Sequence, residues 1–236
     1  MTILNFFIAS VLASCPLLFG TLGETLTERS GNLNLGVEGM MFMGGIAGLA
    51  GSYYYETLSE NPVVWVSVLI AIVCSFLCAG LGALIYSVLT ITFRANQNVT
   101  GLALTIFGTG FGNFFGELLS NSAGGYAAVG NATKAAFNNP ILPSLAESSV
   151  IGKLLFSYNF LVYVALALAV VLTYFINRTR AGMNLWAVGE HHAAADAAGI
   201  NVTKYKYLAT CIGGGITGLG GMYIVMNSAS GVGGVW

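Results

Sequence analysis

Charge-free apolar runs alternate with short polar stretches along the whole chain. Residues 1–23, 39–55, 61–93, 95–116, 154–177 and 207–236 carry no Asp, Glu, Lys or Arg. A membrane-crossing helix needs about 20 predominantly apolar residues to cover a hydrocarbon core about 30 Å thick. A central Arg, Lys or Asp costs about 2.5–3.5 kcal/mol on the insertion scale, so charge-free windows mark spans. The pattern predicts six of them, near 3–20, 34–54, 62–92, 98–119, 155–176 and 207–227. The third window is too long for one perpendicular crossing. It is either a tilted helix running past the bilayer or a helix broken near Gly80 and Gly82. The expected fold class is all-α, a polytopic transmembrane helical bundle in a single domain over 1–236, with broken or re-entrant helices allowed where they line a protected cavity. The first run lacks a basic flank, and Pro16 and Gly20 lead straight into a second membrane segment. It therefore reads as a span and not as a cleaved signal peptide.

Composition removes the soluble alternatives. Of 236 residues, 8 are Lys or Arg and 9 are Asp or Glu, so 7 % are charged and 56 % hydrophobic. An ordinary soluble domain carries roughly 25 % charge. Disorder needs low hydrophobicity with high charge, and a nucleic-acid binder needs a basic face. Neither is present. The basic residues also give an orientation. Arg178, Arg180, Lys204 and Lys206 flank the 177–206 loop, which is expected to be cytoplasmic. Counting back through six spans puts Arg29 and Arg94 on the same side. Glu56, Glu60 and the extracytoplasmic loop 120–153, with Lys134 and Lys153, fall on the other, as do the N-terminus and the C-terminal tail. The outer loop is rich in Asn, Ser, Ala and Gly and is punctuated by Pro140 and Pro143. It is a cap over the external mouth, a docking segment or a plain surface connection.

Glycine is about twice as abundant as usual, at 32 residues, and concentrates in the spans. Gly44 to Gly48 and Gly214 to Gly218 each form a small-xxx-small step, which lets helix backbones approach closely. The same glycines also suit broken helices along a pathway. Cys15, Cys74, Cys78 and Cys211 lie in or beside apolar runs and read as small packing residues. No HExxH, GxSxG or Walker A sequence is present. His191 and His192 are adjacent, about 100° apart on a helix, and do not suit a shared metal. No catalytic residue, metal or cofactor is therefore expected.

Three segments stand out: GNLNLGVEGMMFMGG (31–45), RANQNVTGLAL (94–104) and TRAGMNLWAVGEHHAAADAAGINVTKYKYLA (179–209). Together, in this order, they strongly resemble the membrane permeases of binding-protein-dependent ABC importers, in the branched-chain amino acid, ribose and nucleoside group. NLGVEGMM is most like the nucleoside and simple-sugar branch. The resemblance covers nearly the whole chain. It implies an all-helical permease in a bacterial inner (plasma) membrane. The implied partners are a second permease subunit, two ATPase subunits and an extracytoplasmic solute-binding protein. Family members generally continue further with additional spans, so the chain is expected to be incomplete at its C-terminal end.

The third motif has a physical reading of its own. Gly189 and Gly199 bracket a stretch in which Ala193, Ala194, Ala195, Ala197 and Ala198 favour a short helix. A slim alanine helix fits a groove on a soluble partner, and composition alone also allows a solvated loop. In the resembled family the matching segment is the coupling helix that transmits ATPase closure. This implies coupling roles for Gly189, Glu190, Ala193, Ala194, Ala195, Asp196, Ala197 and Gly199. Glu38 is ionisable and just inside an apolar stretch. It either faces a protein interior or wet path, or snorkels at the inner interface. Asn32 and Asn34 suit the start of a helix. Asn96, Gln97 and Asn113 either meet polar groups of a passing solute or join helices to one another. Glu38, Asn96, Gln97 and Asn113 are the candidate pathway residues. Phe107, Phe111, Phe114 and Phe115 line a path or pack outward. The expected function is inward transport of a small molecule, most of all a nucleoside, without ATP hydrolysis by this chain. The alternatives are a ribose-like sugar, a branched-chain amino acid, or an ion-coupled carrier working without ATP.

Overall fold

Long apolar stretches become helices, and the polar residues between them become caps. The structure is a computed structural model and describes residues 3–140, 150–229 and 232–233. In chain order, α1 is Ile3–Glu28, α2 is Val37–Leu58 and α3 is Val64–Ser87. A π turn, Val88–Thr92, prolongs α3, and α4 follows at Gln97–Ser122. The connection after α4, the outer connection of the expected topology, holds β1 (Tyr126–Ala127), α5 (Asn131–Asn138) and α6 (Val150–Phe156). Then come α7 (Phe160–Arg178), α8 (Arg180–Glu190) and α9 (His192–Ala197). The last long helix, α10 (Val202–Tyr223), continues in a π turn, Ile224–Ala229, before β2 (Val232–Gly233). β1 and β2 pair antiparallel, Tyr126 opposite Gly233 and Ala127 opposite Val232. Pro143 and the rest of 141–149 lie outside the described residues.

Five of these helices are long and apolar enough to cross a membrane: Ile3–Glu28, Val64–Thr92, Gln97–Ser122, Phe160–Arg178 and Val202–Asn227. The chain is a multi-pass membrane protein. α2, at 22 residues, occupies the expected second span and packs against α3, α4 and α10. The third window is one unbroken helix through Gly80 and Gly82. At 29 residues it is about 44 Å long, which calls for tilt in a 30 Å core. At Gly82 it packs against Met43 of α2, whose Sδ would lie 2.9 Å from an added Cβ.

α10 is the hub. In its most apolar window 78 % is buried, against 22–33 % in the other four candidate spans. It packs against α1, α2 and α3, while α4 covers α2 and α7 covers α1. The glycine steps bring this about: Gly218 meets Gly44 of α2 and the Cβ of Ala79 on α3, and Gly214 meets Ala83 and Met40. At one end of the bundle α1, α3 and α7 finish and α2, α4 and α10 begin. Arg29, Arg94, Arg178, Arg180, Lys204 and Lys206 gather there, six of the eight basic residues. The opposite end is closed by the outer connection. Ala127, Val129 and Phe137 are buried in the main core, and the Phe137 ring lies 5.6 Å from that of Phe160. The loop thus folds back on the bundle.

Caps mark the helix starts. Asn96 Oδ1 accepts from the amides of Asn98 and Val99 at the start of α4, after Arg94 reverses the chain at φ 53°. Asn159, Thr179 and Asn201 do the same for α7, α8 and α10. Each side-chain oxygen satisfies an amide that the first turn leaves free.

Candidate functional site

Residues 31–36, between α1 and α2, form a non-helical linker with turns at 31 and at 35–36, and their burial alternates strictly. Asn32, Asn34 and Gly36 point inward and are buried, whereas Leu33 and Leu35 are exposed at 41 % and 43 %. A non-helical segment lacks the regular backbone ladder of a helix, so its peptide groups need other partners. Helices α1, α3 and α4 supply most of them. Leu33 N donates to Gln97 Oε1 at 2.8 Å, and Tyr86 OH donates to Leu33 O at 2.6 Å. Asn34 N donates to Glu24 Oε1 at 2.8 Å, and Thr105 Oγ1 donates to Leu35 O at 3.0 Å. Gly36 N donates to Asn34 Oδ1 at 2.9 Å, and Asn32 Nδ2 donates to Thr210 Oγ1 of α10 at 3.0 Å. Non-helical backbone survives at membrane depth when protein groups satisfy it in this way.

The linker touches the second feature of the basic end, the α8–α9 segment. Leu185 and Val188 of α8 are buried, and Asn184 Nδ2 donates to Tyr205 OH of α10 at 3.1 Å. Trp186 Nε1 donates to Glu190 Oε1 at 3.1 Å, and the Arg29 guanidinium lies 5.7 Å from the Trp186 ring centroid. Gly189 precedes the alanine helix as the second-last residue of α8, and a Cβ there would overlap the Arg29 carbonyl. His191, at φ −144°, ends α8. The alanine helix is α9. Ala195 is buried, while Ala193, Ala194, Asp196 and Ala197 are exposed. Gly199, at φ +82°, ends it: Gly199 N donates to Asp196 O and Ile200 N to Ala195 O, a left-handed C-terminal cap.

The four candidate pathway residues are not brought together. Glu38 lines an apolar cavity of about 360 Å³ walled by Leu17, Met41, Phe42, Ile224 and Val225. Asn96 caps α4 and Gln97 braces the linker. Asn113 is exposed on α4, next to Gly112, which lines the same cavity. Phe107, Phe114 and Phe115 are exposed on α4 and Phe111 packs against the core. Among the described residues, no three His, Cys, Asp or Glu side chains converge as a metal site would require.

Residues 6–232 match the family described as branched-chain amino acid transport system / permease component. The chain belongs to this permease family. Among curated relatives, it is 33 % identical over 218 residues to TsgC13 of Haloferax volcanii, provisionally named a glucose ABC transporter permease protein; the match covers 92 % of this chain and 61 % of that one. It is 31 % identical over 214 residues to the guanosine ABC transporter permease protein NupQ of Bacillus subtilis, covering 90 % and 64 %. It is 29 % identical over 227 residues to the nucleoside ABC transporter permease protein NupC of Lactococcus lactis, covering 92 % and 66 %. The chain thus spans 61–66 % of the length of these relatives. No solved structure matches it.

Within this permease, Glu24, Tyr86, Thr105 and Thr210 brace the linker without a sequence signal of their own. Glu24 is the exception in part, as a carboxylate at the edge of the first charge-free run. Tyr86, Thr105 and Thr210 are single polar atoms in apolar helices, and nothing in their spacing separates them from packing residues.

Proposed function

We propose that the chain is the transmembrane permease subunit of an ATP-driven importer that carries nucleosides inward. The observation that carries the reading is α9, an alanine-rich helix at the basic end that packs on α8 and α10 through its buried Ala195 and leaves Ala193, Ala194, Asp196 and Ala197 exposed. The positive-inside bias assigns that end to the cytoplasm. A slim exposed helix suits a groove on an ATPase subunit, with Asp196 and Glu190 as polar contacts. ATP hydrolysis then belongs to that partner, a second permease subunit completes the pathway, and an extracytoplasmic binding protein delivers the solute. Glu38 and Asn113 flank the cavity between α1, α2, α4 and α10 and are the pathway candidates in this reading.

Two of the three relatives named above carry nucleoside or guanosine in their names, which supports nucleosides as solute. The glucose assignment of the third supports a simple sugar as the second reading. The test is uptake of labelled nucleoside at micromolar concentration by cells with and without the gene, with glucose, ribose and leucine alongside. Selective loss of nucleoside uptake is expected. Selective loss of sugar uptake moves the assignment to the sugar branch, and unchanged uptake of all four overturns both.

A further inference from the structure

The 31–36 linker connects the surface segment α8–α9 with the helices that wall the cavity. On one side it meets α8 through backbone alone. A Cβ on Gly31 would lie 3.2 Å from both the Cα and the O of Gly189, and Gly31 is itself at φ +81°. Such a contact has no side-chain rotamer to absorb a displacement. The other α8 attachments named above run through side chains: the hydrogen bond from Asn184 to Tyr205, the Arg29 guanidinium over the Trp186 ring, and the buried Leu185 and Val188.

On the other side the linker is fixed peptide by peptide. Gln97 and Tyr86 hold Leu33, Glu24 holds Asn34, and Thr105 holds Leu35. α4 presses on it directly, since a Cβ on Gly101 would lie 2.7 Å from Leu35 N. The linker then runs without a gap into the first turns of α2, where Glu38, Met41 and Phe42 face the cavity. A shift of α8 therefore reaches the cavity wall through a close-packed route that cannot deform continuously.

We infer that the 31–36 linker relays movement of α8–α9 to the start of α2 and α4, with Asn32, Tyr86 and Gln97 as its positioning residues. The inference rests on the importer reading, in which an ATPase moves α8–α9. Two measurements separate the two ideas.

The first uses the whole complex, permease pair with ATPase and binding protein, in liposomes, with ATP hydrolysis and solute uptake read together. Tyr86→Phe removes one hydroxyl and no volume. Uptake per ATP is expected to fall at least fivefold while stimulated hydrolysis stays within twofold. Hydrolysis and uptake falling in proportion, or neither changing, overturns the relay. So does uncoupling by Asn184→Ala with normal coupling in Tyr86→Phe, which would route the movement through α10.

The second needs no transport. Amide hydrogen exchange of the full chain in detergent compares wild type with Gly189→Ala, and with Tyr86→Phe in case the alanine variant does not fold. Faster exchange is expected to spread over 33–41. Change confined to the immediate neighbours of the substituted residue overturns the relay. Spread over 33–41 in a protein whose complex shows no ATP-driven uptake keeps the relay and overturns the importer reading.

Discussion

Gly44 of α2 and Gly218 of α10 touch backbone to backbone: a Cβ on Gly44 would lie 2.5 Å from the Cα of Gly218 and 2.7 Å from its carbonyl oxygen. The obstacle is main chain on both sides, so a larger residue can be accommodated by separating the helices and by little else. Gly44→Val is expected to cost about 1–3 kcal/mol, the usual range for overpacking. Gly110, with nothing within 4 Å of an added Cβ, is the control. Gly110→Ala should be neutral or gain up to about 1 kcal/mol from helix propensity. Thermal unfolding in detergent checks both.

Glu56, near the C-terminal end of α2, gathers three donors. Ser67 Oγ of α3 donates to it at 2.7 Å, and Gly130 N and Thr133 Oγ1 donate from the start of α5. A carboxylate at that position also complements the α5 N-terminus. Glu56→Ala leaves all three donors without this acceptor and is expected to cost about 1.5–3 kcal/mol, the range for hydrogen bonds to a charged group. Hydrogen exchange at the Gly130 amide should quicken more in Glu56→Ala than in Glu56→Gln, which keeps one acceptor oxygen.

Phe137 of α5 is fully buried, and its ring lies tilted beside that of Phe160. Phe137→Ala is expected to lower stability by about 3–5 kcal/mol, as large aromatic deletions do. Limited proteolysis should then cut within α5 sooner than in wild type. Unchanged cleavage would mean that α5 is held by Glu56 alone.

At α9 two substitutions separate structure from docking. Gly199→Ala places a Cβ in a left-handed backbone at a cost of about 1–2 kcal/mol and should fray the helix. Asp196→Lys is on an exposed face and should move stability by no more than about 0.5 kcal/mol. In the importer reading both lower uptake severalfold, while membrane insertion, read by fractionation, is unaffected. Normal uptake in Asp196→Lys would remove that carboxylate from the partner contact.

Most of the helical framework was legible in the charge-free windows, because hydrocarbon tolerates few charges and leaves long apolar runs. The expected spans at 62–92 and 98–119 became Val64–Thr92 and Gln97–Ser122. Helix ends shifted where a polar residue found a use. α1 continues past residue 20 to Glu28, with Glu24 accepting from Asn34 N. α10 starts at Val202 because Asn201 caps it, and Lys204 and Lys206 are long enough to snorkel at the boundary. The glycine steps at Gly44 and Gly214 lie where α2 and α10 pack closely, although the sequence does not say which helices cross.

The candidate site divided differently. The alanine stretch could be read directly from the sequence, and it is a helix with an exposed face. Gly189 was visible as a glycine, but its reason, the Arg29 and Gly31 backbone beside it, lies about 160 residues away in sequence. The Gln97 amide is visible in the sequence, but its bonding to Leu33 and Gly31 depends on where the linker lies beside α4.

By itself the sequence determined that this is a many-helix membrane protein with a basic end and an alanine-rich segment there. Those properties follow from local composition, and the bilayer acts on each stretch separately. Only the tertiary structure decided that α10 is the buried hub, that Phe137 packs the α4–α7 connection onto the bundle, and that the polar atoms of Glu24, Tyr86, Gln97, Thr105 and Thr210 converge on one six-residue linker. Those relations depend on which helix lies beside which. Single polar atoms on otherwise apolar faces leave no periodic trace of their partners.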